Sequence, residues 1–173
     1  MEDVKIIRQR DIRDCGACSL ASIIQHYGGY VSIERIRLDA RVSNDGTDAL
    51  SLIEAARKYG FDAFGKKVKS LDDSDIKLPA IAHINLKSGV QHYVVIYKIA
   101  KNKVVLMDPA KGKVVMDKNE FNRSWSKVII IMYPKTKIIS FKKESTLFSI
   151  FMNVLLQEKK LFFLIVVMSI FMM

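Results

Sequence analysis

Gln9-Arg10-Asp11-Ile12-Arg13-Asp14-Cys15-Gly16-Ala17-Cys18-Ser19-Leu20 is the stretch that decides how the rest of the chain is read. An Asp-Cys-Gly turn leads into an apolar helical pattern, Ala17, Leu20, Ala21, Ile23 and Ile24, which stops at Gly28-Gly29. Cys15 is therefore expected at a helix N-terminus. There, unpaired backbone N–H groups and the positive end of the helix dipole favour the thiolate, the nucleophilic form. Far downstream, His92 and then Asp108 follow in the order that a Cys/His/Asp protease needs.

Outward from this helix, Ser32 is predicted to cap a second one carrying Ile33, Ile36 and Leu38. Thr47 is predicted to cap a third, running through Leu50, Leu52, Ile53 and Ala56 to Gly60. After Gly60 the apolar period changes to two or to short continuous runs. Strands are expected at 64–68, 79–85, 92–99, 103–107, 113–116 and 127–132, parted by turn residues such as Ser88-Gly89 and Lys111-Gly112. A helical half followed by an antiparallel sheet is an α+β layout. Pro134 closes the last strand, so the expected organisation is a domain over 1–133, a linker over 134–144 and an appendage over 145–173.

With 173 residues, 50% of them hydrophobic and 27% charged, the chain suffices for one such domain and little more. The net charge of +10 is spread along the sequence, without a zinc-finger, aromatic RNA-binding or basic-helix motif, so nucleic acid is not the expected partner. The two cysteines lie three positions apart, too close to staple a domain, which fits a reducing compartment. The charged opening Met1-Glu2-Asp3-Val4-Lys5 does not read as a signal peptide.

The appendage ends in Leu161-Phe162-Phe163-Leu164-Ile165-Val166-Val167-Met168-Ser169-Ile170-Phe171-Met172-Met173, 13 nearly unbroken apolar positions. A spanning helix needs about 20, so this reads as the first part of a transmembrane helix, truncated. Residues 145–156 read as an amphipathic helix on the membrane surface. Lysines 135, 137, 142, 143, 159 and 160 against Glu144 and Glu158 leave +4 on the last 39 residues, which places the N-terminal domain on the cytoplasmic side. The competing reading is a buried C-terminal helix of a soluble protein.

Three histidines compete to serve Cys15. His26 lies 11 residues further along the same helix, about 16 Å away at 1.5 Å per residue, and is out of reach. His83 sits inside a strand, where a satisfied sheet histidine is the ordinary reading. His92 starts a strand beside a glycine turn. The run 92–99 turns around Ala100-Lys101-Asn102 and returns through 103–107, so reflection across the turn sets His92 near Asp108 at the open end of the hairpin. A carboxylate there accepts the imidazole Nδ1–H and leaves Nε2 for the thiol. Gln9, six residues before Cys15, is the expected oxyanion donor together with the Cys15 backbone N–H.

Gln9-x-Asp11-x-x-Asp14-Cys15-Gly16, Tyr27-Gly28, Gly89-x-x-His92-Tyr93-Val94-Val95 and Asp108-Pro109-x-x-Gly112 resemble the peptidase domain of bacteriocin-processing ABC transporters, papain-like cysteine proteases fused ahead of an exporter's membrane domain. The resemblance covers about residues 5–133 and matches the order of peptidase, surface helix and first membrane helix. It implies cleavage of a precursor peptide after a double-glycine motif, followed by export from the cytoplasmic side of a bacterial cell membrane. It implies Cys15 as nucleophile, His92 as base then acid, Asp108 as orienting carboxylate and Gln9 as oxyanion donor. A narrow groove admits residues without side chains and excludes others by clash. The leader is expected to bind as an amphipathic helix in an apolar groove. A full transporter of this kind is expected to be a homodimer, and the isolated peptidase domain a monomer.

No G-x-x-x-x-G-K-[ST] occurs, so no cofactor is expected here, ATP belonging to a nucleotide-binding domain elsewhere in such a transporter. Cys15-Gly16-Ala17-Cys18 also has the spacing of thiol–disulfide oxidoreductases, the alternative reading, although the thioredoxin motif follows a strand inside a βαβ unit. A docking domain that does not cleave is the non-enzymatic alternative. A structural zinc site lacks ligands, since no further cysteine exists.

Overall fold

Four side chains decide where the helical segments begin, because each accepts hydrogen bonds from backbone N–H groups otherwise left unpaired. Asp11 caps a 3-10 turn over Ile12–Asp14, Ser32 caps α2 (Ile33–Asp39), Asp48 caps α3 (Ala49–Lys58) and Asp117 caps α4 (Lys118–Ser124). Helix α1 (Cys15–His26) continues directly from the 3-10 turn. The computed structural model describes residues 3–86, 89–136 and 138–140, all within one compact unit, Met1–Lys142.

Six strands follow or interleave: β1 (Phe61–Lys67), β2 (Ala80–Asn85), β3 (Gln91–Ile99), β4 (Lys103–Asp108), β5 (Gly112–Asp117) and β6 (Trp125–Pro134). They form one antiparallel sheet in the order β1-β6-β2-β3-β4-β5. The period-two pattern of β3 explains the two layers, since successive side chains take opposite faces. Tyr93, Val95 and Tyr97 join the cluster formed with Leu20, Ile23 and Ile24 of α1. Val94 and Ile96 join Leu106 of β4, Phe121 of α4 and Trp125 on the other face. By the same alternation His92 shares the side of Val94, and Asp108 that of Leu106.

The α+β layout is as expected, with three differences. The cap of α3 is Asp48, whose carboxylate accepts the Ser51 N–H, while the Thr47 hydroxyl donates to the Ala40 carbonyl at 2.6 Å. Strand β1 starts at Phe61, three residues early, because Gly60, at φ +94°, completes the turn out of α3 alone. Helix α4 is unexpected: Phe121 is its one buried residue, so it carries no apolar period for the sequence to show.

The described part of the expected linker remains bonded to the domain. The Lys135 and Thr136 N–H groups donate to the Gly60 carbonyl, and the Ile139 N–H to that of Tyr59. The expected surface helix from 145 and membrane helix from 161 lie outside the described residues. Among the described residues no helix is long and apolar enough to cross a membrane.

Candidate active site

Asp11 and Asp14 build the platform for Cys15. The Asp11 carboxylate accepts the Arg13 N–H at 2.9 Å while that of Asp14 accepts the Asp11 N–H at 3.2 Å, a reciprocal capping box that winds one 3-10 turn. That turn delivers Cys15 as the first residue of α1. Gly16 is required by contact, since a Cβ there would lie 2.5 Å from Thr47 Cγ2. Its absence lets the Asn44–Thr47 loop close over the helix start. Arg13 locks this loop, pairing with both oxygens of Asp11 at 2.8 Å each and with Asn44 Oδ1 at 3.0 Å. A cleft of about 150 Å³ results, with Cys15 in its wall between that loop and Val90, Gln91 and Tyr93 of the β3 start.

The Asp-Pro-x-x-Gly motif is the hairpin between β4 and β5. Asp108 Oδ1 accepts the Ala110 N–H at 2.9 Å, the Lys111 N–H returns to the Asp108 carbonyl, and Gly112 takes φ +88°. So held, Asp108 Oδ1 lies 2.8 Å from His92 Nε2, both residues buried. The expected ring assignment is thereby reversed: the far nitrogen, Nε2, meets the carboxylate and Nδ1 is left for the thiol. Register explains this. Val95 pairs with Met107, so Asp108 falls opposite Val94, diagonal to His92, and the ring must reach across with its distal atom.

Burial is the largest influence on His92 and pushes its pKa down. It is outweighed by the hydrogen bond to Asp108 and by hydrogen-bond and charge interactions with Cys15, which together raise it to about 9. Burial likewise raises Asp108, but the His92 and Ala110 hydrogen bonds prevail and leave it lowered. The imidazolium is therefore favoured through neutral pH, held between the Asp108 carboxylate and the Cys15 sulfur.

The structure thus brings Cys15, His92 and Asp108 together. Gln9 joins them through its backbone, its N–H donating to the Pro109 carbonyl at 3.0 Å, while its side-chain oxygen is buried without a hydrogen-bond partner. The roles of Asp11, Asp14 and Arg13 were not assigned from sequence, although Asp-x-x-Asp is a capping-box spacing that signals them. Arg37 also approaches Asp14, at 3.3 Å.

His26 stands at the far end of α1, edge-on to Tyr27 and Tyr97. His83 bonds Ser126. Cys18 is fully buried, and burial, followed by the charges of Asp14 and Cys15, pushes its thiol up to about 12, the reverse of a reactive dithiol partner. Both cysteines are free. Among the described residues no cluster of three or more His, Cys, Asp or Glu side chains is placed to hold a metal ion.

The model of the Peptidase C39 family matches residues 3–137. The chain is 37% identical to the lactococcin-G-processing and transport ATP-binding protein LagD of Lactococcus lactis subsp. lactis over 160 residues, 91% of this chain and 23% of LagD. It is 30% identical to the mesentericin-Y105 transport/processing ATP-binding protein MesD of Leuconostoc mesenteroides, over 95% of this chain and 23% of MesD. The chain therefore spans less than a quarter of either relative. Among solved structures it is similar to a double glycine motif protease from an AMS/PCAT transporter in complex with the leader peptide (TM-score 0.70, 34% identity, 77% of this chain and 93% of that one). It is also similar to the peptidase domain of Streptococcus ComA, a bifunctional ABC transporter of a quorum sensing pathway (TM-score 0.72, 34% identity, 76% and 99%).

Proposed function

The chain belongs to the Peptidase C39 family, cysteine peptidases, and we propose that it removes the leader from a precursor peptide by cutting after a double glycine, as the peptidase part of a longer exporting protein. The observation that carries this reading is the buried His92–Asp108 pair, 2.8 Å apart, set against Cys15 at the start of α1.

Cys15 thiolate adds to the carbonyl carbon of the second glycine, and the Cys15 backbone N–H and Gln9 side-chain amide stabilise the oxyanion. His92, oriented by Asp108, passes its Nδ1 proton to the departing amine, which leaves as the new N-terminus. The leader stays as a thioester on Cys15. His92, now neutral, takes a proton from water as it attacks the thioester; the C–S bond breaks, the leader leaves as an acid that loses its remaining proton to solvent, and the thiolate and imidazolium are restored. Glycine at both positions before the cut suits a cleft of about 150 Å³.

A second, larger groove of about 590 Å³ adjoins the site, with Ile84, Val94, Leu106, Val114 and Met116 on its floor and Asp108 at one end. We place the leader there as an amphipathic helix, its C-terminal end leading to the catalytic pair. Residues 1–133 form the peptidase domain in this reading, 134–144 link it onward, and 145–173 attach it to the cytoplasmic face of the membrane. The parent exporter works as a homodimer whose peptidase domains are individually monomeric.

Mass-spectrometric cleavage of leader peptides ending in Gly-Gly, Gly-Ala or Ala-Ala, under reductant, tests the reading. Cuts after Gly-Gly that vanish in Cys15→Ala and persist in Cys18→Ala are expected. Dithiol-dependent disulfide exchange without cutting would favour the oxidoreductase, and neither activity a docking domain.

A further inference from the structure

The turn that carries Asp108 is held from outside by the N-terminal segment. Inside the turn, the Ala110 N–H donates to Asp108 Oδ1 at 2.9 Å and the Lys111 N–H to the Asp108 carbonyl at 3.1 Å. These N–H groups belong to two successive peptide planes, whose carbonyls are those of Pro109 and Ala110 and point the opposite way. The Pro109 carbonyl accepts the Gln9 backbone N–H at 3.0 Å, and the Ala110 carbonyl accepts Arg8 Nη1 at 2.8 Å. Each plane is thus gripped at both ends, its N–H by Asp108 and its carbonyl by residues 8 and 9. A rigid plane so fixed cannot swing its N–H off its acceptor, and the outer bond polarises the inner one.

Gly112 gives the guanidinium its seat. A Cβ there would lie 3.0 Å from Arg8 Nη2 and 3.1 Å from Arg8 Cζ. The glycine of Asp-Pro-x-x-Gly therefore serves Arg8 as well as the turn. The N-terminal segment is itself anchored upstream, where the Lys5 carbonyl accepts the Ser22 hydroxyl of α1 at 2.5 Å and the Lys5 N–H donates to the Tyr97 hydroxyl of β3 at 3.3 Å.

We propose that Arg8 is a positioning residue for the cleavage reaction: together with the Gln9 backbone it clamps the Pro109 and Ala110 carbonyls and so fixes Asp108 against His92. The inference rests on the peptidase reading of the site and adds to it a residue that acts through Asp108. Since Gln9 is also the proposed oxyanion donor, one short segment sets both sides of the reacting centre.

Loss of Arg8 has two opposite consequences for His92. The groups facing His92 are Asp108 of β4 and Cys15 of α1, and Lys111 acts in turn on Asp108. Taking a cation away from this turn favours the imidazolium and raises the His92 pKa, whereas a loosened Asp108 weakens its hydrogen bond and lowers it. The direction of the shift therefore separates positioning from charge.

The test is a ring titration of His92 by NMR in the full 173-residue chain without substrate, beside cleavage of a Gly-Gly leader peptide. Arg8→Met keeps an unbranched side chain but has neither charge nor donor. In it the His92 pKa is expected to fall by about half a unit, part of the worth of one hydrogen bond, and kcat by about fivefold with KM little changed. In an Asp108→Asn background the same substitution should lower the His92 pKa no further, because its effect runs through the carboxylate. Arg8→Lys, which keeps one donor for the Ala110 carbonyl, should fall between. A His92 pKa that stays or rises in Arg8→Met, or that falls equally in the Asp108→Asn background, would overturn the proposal whatever happens to kcat. Arg8 is exposed, so Arg8→Met is expected to fold, and Arg8→Lys supplies a second variant should it not. Failure of the wild-type chain to cut the peptide would instead count against the double-glycine reading, while the titration would still decide the role of Arg8.

Discussion

At the scale of single residues, the proposed reaction turns on the charge state of His92. Its pKa is raised to about 9, and in the proposed mechanism the imidazolium supplies the proton for the departing amine through neutral pH. We expect kcat/KM to fall on the alkaline side near pH 9. In Asp108→Asn the carboxylate's support is gone while burial still disfavours the charged ring, so that limb moves to lower pH and the maximum drops about 10²-fold or more. A pH profile of both proteins reads this, and a limb that stays in place would separate Asp108 from the titration. Folding stability follows the same proton. A folded pKa above the unfolded value of about 6.5 contributes stability that is complete below that pH and lost as pH climbs through about 9. For Cys18, buried and held as a thiol, Cys18→Ala should retain cleavage, at a stability cost of about 1 kcal/mol for the lost buried sulfur.

At the scale of elements, the start of α1 depends on two short-range arrangements. Asp11→Ala removes the cap of the 3-10 turn and the partner of Arg13, and should lower the urea unfolding midpoint while lowering kcat/KM. Gly16→Ala sets a methyl group against Thr47 and Leu52 and should cost about 1–3 kcal/mol, displacing the loop that walls the cleft. A Gly16→Ala protein as stable and active as the parent would show that the loop packs differently. These elements also show what a sequence reveals. Apolar period and glycine stops exposed α1 to α3 and the hairpin that unites His92 with Asp108. The ring nitrogen facing Asp108 was misread, because it depends on a diagonal rather than a direct pair, and one position of register is beyond a symmetry argument. Helix α4 was missed because six of its seven residues are polar and its placement comes from Phe121 alone. Asp11 and Asp14 were visible as letters but not as a reciprocal cap, whose effect exists only once the turn is wound.

At the scale of the whole molecule, the sheet separates two tasks. One face packs α1 and its thiol; the other carries the apolar groove that ends at Asp108. If the leader lies in that groove, Met116→Lys, on its partly buried floor, should raise KM for a full leader peptide about tenfold while leaving a short Gly-Gly peptide without a helix unaffected. Equal effects on both peptides would place the leader elsewhere. In the proposed reaction Cys15 carries the leader as a thioester after attack at the double glycine. Intact-mass spectrometry of an acid-quenched reaction between the chain and a Gly-Gly leader peptide, followed by mapping of the adduct, addresses it most directly. A mass increase equal to the leader ending in Gly-Gly, located on Cys15 and absent in Cys15→Ala, is expected. An adduct on Cys18, or release of leader with the same burst in Cys15→Ala, would contradict it.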